Sequence, residues 1–238
     1  PITVPNKEMV LGCYYFTTID AKYADLKEDD YPFVGSVEEA LFAYQLNRIG
    51  IRQAIKVFRD KKMVATTIGR ILFNEKLPDG IPFINTPVKS ATVKQIISTA
   101  LGKYTKEEVV TLIDNIKDIG FLGATICGGL SVSVFDCLTV PEKKAILDEA
   151  EQKATEVDAN YQQGLITLEE KKRLGNEIWI EVTERLADIT WQQMPAGNPV
   201  KMIIDSGSAR ASRDQLKQLS AIKGLVVDPL GKIVELPT

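Results

Sequence analysis

Apolar residues return every three or four positions in the second half of the chain, and they do so in two series. Ile146, Ala150, Ala154, Val157 and Tyr161 form one, and Leu174, Ile178, Val182, Leu186 and Ile189 form the other. That spacing puts each series on one side of a helix, with charged residues on the remaining faces. Gln162-Gln163-Gly164-Leu165-Ile166-Thr167 lies between them. Gly164 suits the left-handed residue that ends a helix, and Thr167-Leu168-Glu169-Glu170 has the form of a capping box. Thr139-Val140-Pro141-Glu142 has the same form ahead of the first series, with Pro141 in the first turn. At about 1.5 Å per residue, each arm is roughly 30 Å long. A stripe this narrow needs one partner, and the short turn supplies it. The expectation is an antiparallel coiled-coil hairpin over residues 139–194 that projects from a body. Two ordinary helices of a bundle would share the pattern.

Elsewhere the rhythm is shorter. Pro1-Ile2-Thr3-Val4-Pro5 is extended by its prolines, and residues 9–17 are apolar on all sides, so they are predicted to be buried. Residues 20–35 read as a polar loop. Ser36-Val37-Glu38-Glu39 caps a helix through Ala40, Leu41, Tyr44 and Leu46. Residues 52–58 alternate loosely and predict a strand with a basic outer face. After residues 66–74 comes a connector through Pro78, Gly80, Pro82 and Pro87. Thr92-Val93-Lys94-Gln95 opens a helix that ends at Gly102. Thr105-Lys106-Glu107-Glu108 opens another through Val109, Leu112, Ile113 and Ile116 that stops at Gly120. Gly123, Ala124, Gly128 and Gly129 suit a tightly packed helix or turn. No strand precedes them and the G-x-G-x-x-G spacing is absent, which argues against a dinucleotide loop. Residues 131–135 predict a short strand, and residues 198–204 a buried one. A small-residue loop holding Arg210 follows, then a helix through Gln215, Leu216 and Leu219, then strand, turn and strand. The predicted fold class is α+β, mostly helical with short strands and the projecting hairpin.

Composition narrows the chemistry. With 238 residues and 45% hydrophobic content, the chain can build one large core or two smaller ones. Its net charge of −3 excludes a general polyanion binder. The charge is unevenly placed: residues 139–192 hold 12 acidic and 7 basic side chains. Residues 48–62 hold Arg48, Arg52, Lys56, Arg59, Lys61 and Lys62 against Asp60 alone. There is no histidine, which excludes histidine triads, histidine bases and the usual zinc sites. Cys13, Cys127 and Cys137 lack metal-ligand spacing and are predicted to be reduced, buried thiols of a cytoplasmic protein. No apolar run approaches the ~20 residues of a membrane span, and no signal peptide is visible, so no membrane partner is expected. A start at Pro1 and a finish at Leu236-Pro237-Thr238 read as a piece of a longer polypeptide.

Four ordered phrases carry a resemblance. They are Met9-Val10-Leu11-Gly12-Cys13-Tyr14-Tyr15; Thr66-Thr67-Ile68-Gly69-Arg70; and Ser131-Val132-Ser133-Val134-Phe135-Asp136 with Val140-Pro141-Glu142-Lys143-Lys144. The last is Asp205-Ser206-Gly207 with Arg210, then Gln218-Leu219, Lys223-Gly224-Leu225-Val226, Pro229, Gly231 and Ile233-Val234-Glu235-Leu236-Pro237. Together they closely resemble the β′ (largest) subunit of bacterial RNA polymerase along essentially the whole chain. The family usually runs Ser-Gly-Ala-Arg-Gly-Ser, whereas Ser206-Gly207-Ser208-Ala209-Arg210-Ala211-Ser212 has one more residue before the arginine, and Ala211 for a glycine. A glutamine common near the start of the family's phrase is matched by Lys7.

The resemblance implies a segment that begins after the loop of three magnesium-binding aspartates and ends before the bridge helix and trigger loop. Residues 1–90 would close the active-site region and start the pore, and 91–138 would form a helical pore or funnel domain. Residues 139–194 would be the rim helices, and 195–238 the channel wall and F-loop region. The expected role is to form the secondary channel for nucleotide entry and to dock channel-binding transcription factors. The implied channel residues are Arg210, Lys7 and Arg213. Tyr161, Gln162, Gln163, Leu165 and Ile166 would meet factors, and Lys223, Gly224 and Pro229 would belong to the F-loop. The chain itself would bind no cofactor and be inactive alone, the Mg²⁺ ligands of the nucleotidyltransferase lying elsewhere. Implied partners are the rest of β′, the β, α and ω subunits, nucleoside triphosphates, the RNA 3′ end, and DNA through the whole complex. A free-standing coiled-coil adaptor is the alternative.

Overall fold

The computed structural model describes residues 3–23, 26–127, 130–208, 211–231 and 233–234. It divides into two compact units: Pro1–Ser131 with Lys201–Arg210, and Val132–Val200 with Ala211–Thr238.

In the first unit, the apolar stretch near the start forms helix α1 (Glu8–Thr17), which packs on α5 (Lys106–Ile126), and α4 (Ser90–Lys103) packs on α5 in turn. Cys13, Phe16, Val93, Ile97, Leu112 and Ile116 fill the space between them. Glycine sets how closely α1 and α5 approach. A Cβ at Gly12 would stand 1.8 Å from the Gly120 carbonyl oxygen, and one at Gly120 would stand 2.4 Å from that of Met9. Gly120 is therefore a packing residue and not the predicted helix stop. The helix passes through it to Ile126.

A three-stranded sheet, ordered β1 (Phe33–Val34), β2 (Ala54–Arg59) and β3 (Lys62–Thr67), makes the unit's second core. β1 runs parallel to β2, and β2 antiparallel to β3 from Ala54↔Thr67 to Arg59↔Lys62. Asp60 and Lys61 turn the hairpin with φ of 49° and 65°, the signature of a primed turn. Ile55 and Val57 face α2 (Val37–Gln45) and α3 (Ile68–Glu75). Residues predicted as one loop thus contribute β1, whose parallel pairing no local pattern announces.

Arg70 of α3 is only 7% exposed and faces the carboxyl end of α1. Its Nε donates to the Thr17 carbonyl oxygen at 2.9 Å and its Nη1 to Asn85 Oδ1 at 3.3 Å. Burial lowers the guanidinium's pKa, and the helix end, whose last carbonyl groups have no partner within the helix, is a suitable place to hold the cation.

In the second unit, α6 (Lys143–Gln162) and α7 (Leu168–Gln193) are the two arms of the hairpin. Lys171 pairs with Asp158, Arg185 with Glu149 at 3.6 Å, and Gln193 with Glu142 at 3.1 Å. As one partner's number rises the other's falls, which makes the pair antiparallel. Ile146 and Leu186 bury with Val140, Ala221 and Ile222 at the base. Towards the turn, Ala154, Val157, Leu174 and Ile178 are only half-buried.

Other expectations need correction. Thr139 does not cap α6, because Val140 is drawn into the core and residues 141–142 turn before the helix begins at Lys143. α4 starts at Ser90, with Thr92 already in its first turn. Residues 131–135 form no strand. They lead into a short turn at Val134–Asp136, where Ser133 N donates to Asp136 Oδ2 at 2.6 Å. The buried strand predicted at 198–204 is helix α8 (Pro199–Ser206). Asn198 Oδ1 accepts from Val200 N at 2.9 Å, and Pro199 stands at the first helical position, where it is favoured. The tail matches the expectation: α9 (Arg213–Leu216), a wide turn at Lys217–Ala221, and β4 (Val226–Val227) antiparallel to β5 (Ile233–Val234). All three cysteines are free. Cys13 is buried, whereas Cys127 and Cys137 are half-buried.

Candidate functional site

The hairpin turn is built as its sequence requires. Gly164 takes φ of 75°, its N–H donates to the Tyr161 carbonyl oxygen at 2.9 Å, and Leu165 N–H reaches back to that of Asn160 at 2.9 Å. This double closure ends α6 by satisfying two of its last carbonyls. Thr167 Oγ1 then accepts from Glu170 N at 3.2 Å and opens α7. The closure leaves Leu165 68% exposed, with Leu168 exposed beside it and Ile166 half-buried. Tyr161 is held from the other arm by Lys171, whose Nζ lies 5.0 Å from the ring centre, and Gln162 donates to Asp158 at 3.1 Å. Gln163 is exposed. The five residues of the implied factor surface therefore share one end of the hairpin, apolar at its centre and amide-bearing around it.

The residues implied for the F-loop follow α9. Lys223 is exposed. Gly224 is buried with φ of 75°, and a Cβ there would meet Thr183 Cγ2 at 3.1 Å. Pro229 is the second residue of a turn closed by Gly231 N donating to the Asp228 carbonyl oxygen at 3.0 Å.

The implied channel residues do not form one cluster. Lys7 is exposed just ahead of α1. Arg213 lies over the Trp191 ring at 4.7 Å and 3.5 Å from Asp188 Oδ1. Arg210 lies outside the described residues. Of the carboxylates near it in sequence, Asp214 pairs with Lys217 at 3.3 Å, and Asp205 lies close enough to raise the pKa of Tyr14. Burial is the larger cause of that shift, which takes the phenol to about 12.

The basic strand face is occupied by partners. Lys56 pairs with Asp29 at 3.0 Å, Arg52 lies over Tyr15 at 4.1 Å, and Arg59 over Phe83 at 4.0 Å. Among the described residues no three carboxylate, thiolate or imidazole groups gather as a metal site. No described helix is long and apolar enough to cross a membrane. No local pattern singles out Lys217. It joins Glu184 to Asp214, and only the Asp214–Lys217 spacing was visible beforehand.

The profile of RNA polymerase Rpb1, domain 3, matches residues 1–137. The whole chain is also similar to the DNA-directed RNA polymerase subunit beta' of Thermosipho africanus (strain TCF52B), at 36% identity over 240 residues and 14% of that protein's length. The same subunit of Desulforudis audaxviator (strain MP104C) is 35% identical over 238 residues, with all of this chain and 20% of that protein covered. That of Thermobifida fusca (strain YX) is 32% identical over 256 residues, with all of this chain and 19% of that protein covered. The chain thus spans between 14% and 20% of the length of these relatives.

Proposed function

Because the chain belongs to the RNA polymerase Rpb1 domain 3 family, within the bacterial β′ subunits, we propose that it works as the pore-forming segment of a DNA-directed RNA polymerase. In that role it lines the secondary channel by which nucleoside triphosphates enter, and its α6–α7 hairpin is the docking post for proteins that use the channel. Catalysis belongs to carboxylates elsewhere in the assembly. The observation that carries the docking reading is the hairpin turn, which exposes Leu165 and Leu168 on a rigidly closed loop. Isolated aliphatic exposure is ordinary, but here it coincides with amide groups at the end of a long two-helix arm.

Leu165→Asp in the assembled polymerase tests the reading. The side chain is exposed and only the backbone of residue 165 takes part in closing the turn, so helix content should not change. Binding of channel-entering factors should weaken about tenfold or more, since apolar anchors dominate such contacts. Unchanged affinity would remove the docking role. Template-dependent RNA synthesis by the pure chain would overturn the placement of catalysis elsewhere.

A further inference from the structure

Lys217 has a side chain only 15% exposed, shared between two carboxylates. Its Nζ lies 2.9 Å from Glu184 Oε1 of α7 and 3.3 Å from Asp214 Oδ1 of α9, the short helix just before it. One turn earlier, Arg213 covers Trp191 and approaches Asp188. Glu184, Asp188 and Trp191 are spaced four and three apart, so the two cations grip successive turns along one face of α7. The backbone of Lys217 adds to this hold. Its carbonyl accepts Ile222 N–H at 2.9 Å, one residue further than an α-helix would place it. That wide turn carries Ala221 and Ile222 into the core beside Ile146 and Leu186. Gly224 then passes against Thr183. The next residues are β4 and the Asp228–Gly231 turn.

Resting on the reading that this turn borders the nucleotide path, we infer that Lys217 is a positioning residue that clamps residues 222–231 to α7. The hairpin and the Asp228–Gly231 turn are thereby one mechanical body, and a load on the hairpin reaches the turn through α7. The ammonium supplies more than packing, because both of its partners are anionic and they approach from two different helices. Lys217→Met removes the ammonium with its charge and its three donors, while methionine keeps most of the unbranched stem that packs beside it.

The test uses the assembled polymerase carrying Lys217→Met or Lys217→Arg. Amide hydrogen exchange at Val226, Val227 and Ile233 should quicken about tenfold in Lys217→Met and stay within about twofold of wild type in Lys217→Arg. Exchange across residues 168–180 should not change in either. Wild-type exchange in Lys217→Met overturns the clamp, and so does equally fast exchange in both variants, because charge would then not be the cause. Nucleotide KM on the same preparations tests the underlying reading separately. Faster exchange with an unaltered KM leaves the clamp in place and overturns the turn's position beside the nucleotide path. Faster exchange with a raised KM supports both.

Discussion

Replacing Gly12 by alanine strikes the contact that sets the first unit's geometry. The new methyl would sit 1.8 Å from the Gly120 carbonyl oxygen and 2.6 Å from Ala124 N. Both are backbone atoms of a neighbouring helix, so neither can swing aside as a side chain would. Ordinary contact begins near 3.4 Å, and α1 must therefore withdraw from α5 by about 1.6 Å. A gap of 0.5–1 Å already forfeits roughly a quarter to a half of a dispersion contact. The Cys13, Phe16, Ile116 and Ile119 layer would lose more than that. Overpacking typically costs about 1–3 kcal/mol, and the added loss of packing puts Gly12→Ala at about 3 kcal/mol or more. For a chain of this size that is roughly 6–12 °C in melting temperature. Gly102→Ala is the matched control. It too lies in a helix, but nothing stands within 4 Å of its added methyl, and the substitution should stabilise by about 1 kcal/mol. Thermal melts of both variants, followed by circular dichroism, make the comparison. A Gly12→Ala protein as stable as wild type would refute the close-approach argument.

Three further outcomes are expected. Gly175→Ala, inside α7 with open space around it, should raise stability by about 0.5–1 kcal/mol, read as a higher melting temperature; a loss would mean that this position is not a regular helix interior. Arg70→Met should cost about 2–3 kcal/mol in denaturant unfolding, because it leaves the buried Thr17 carbonyl oxygen and Asn85 Oδ1 without their donor. Burial pushes the Cys13 thiol up to about 12 from 9.0, and the Tyr14 phenol to about 12 from 10.0. The folded state therefore keeps protons that the unfolded state releases, so their contribution is complete below pH 9 and is lost as pH rises towards 12. Cys13→Ala should flatten this alkaline loss of stability, and Cys13 should resist thiol reagents that label the half-buried Cys127 and Cys137.

What the sequence disclosed follows a physical divide. Features with local causes were legible: the Thr105 and Thr167 caps, the Gly164 turn, the paired apolar series and the terminal strand–turn–strand. Gly120 misled because its cause is distant. A glycine in a helical pattern reads as a stop, yet the constraint on it is the Met9 carbonyl oxygen of another helix. Residues 198–204 misled for another reason. A short apolar run suits a buried helix as well as a buried strand, and only the Asn198-Pro199 pair ahead of it favours the helix. Valines alternating with serines at 131–135 suggested a strand, but no partner strand lies beside them among the described residues. The exposed hairpin turn was legible because turn chemistry alone places it. The Lys217 clamp was not, since Glu184 and Lys217 are 33 positions apart and nothing in either neighbourhood points to the other.

The hairpin's own stability is graded, and the gradient bears on how it could work. At the base, Ile146, Ala150 and Leu186 are buried, and the C-terminal segment adds Ala221 and Ile222 to the same core. Past Ala150 the stripe is only half-buried, and the ion pairs beside it are exposed ones worth little each. Local opening should therefore become easier towards the turn. A docking surface at the free end needs order where packing supplies least of it. The chain meets that need with backbone closure at Gly164, the Thr167 cap, and Lys171 joining Asp158 and Tyr161 across the arms. These are short-range devices that need no core. Order at the tip and anchorage at the base thus have separate physical causes, so a substitution at Leu165 can change the surface of the tip without loosening the base of the hairpin.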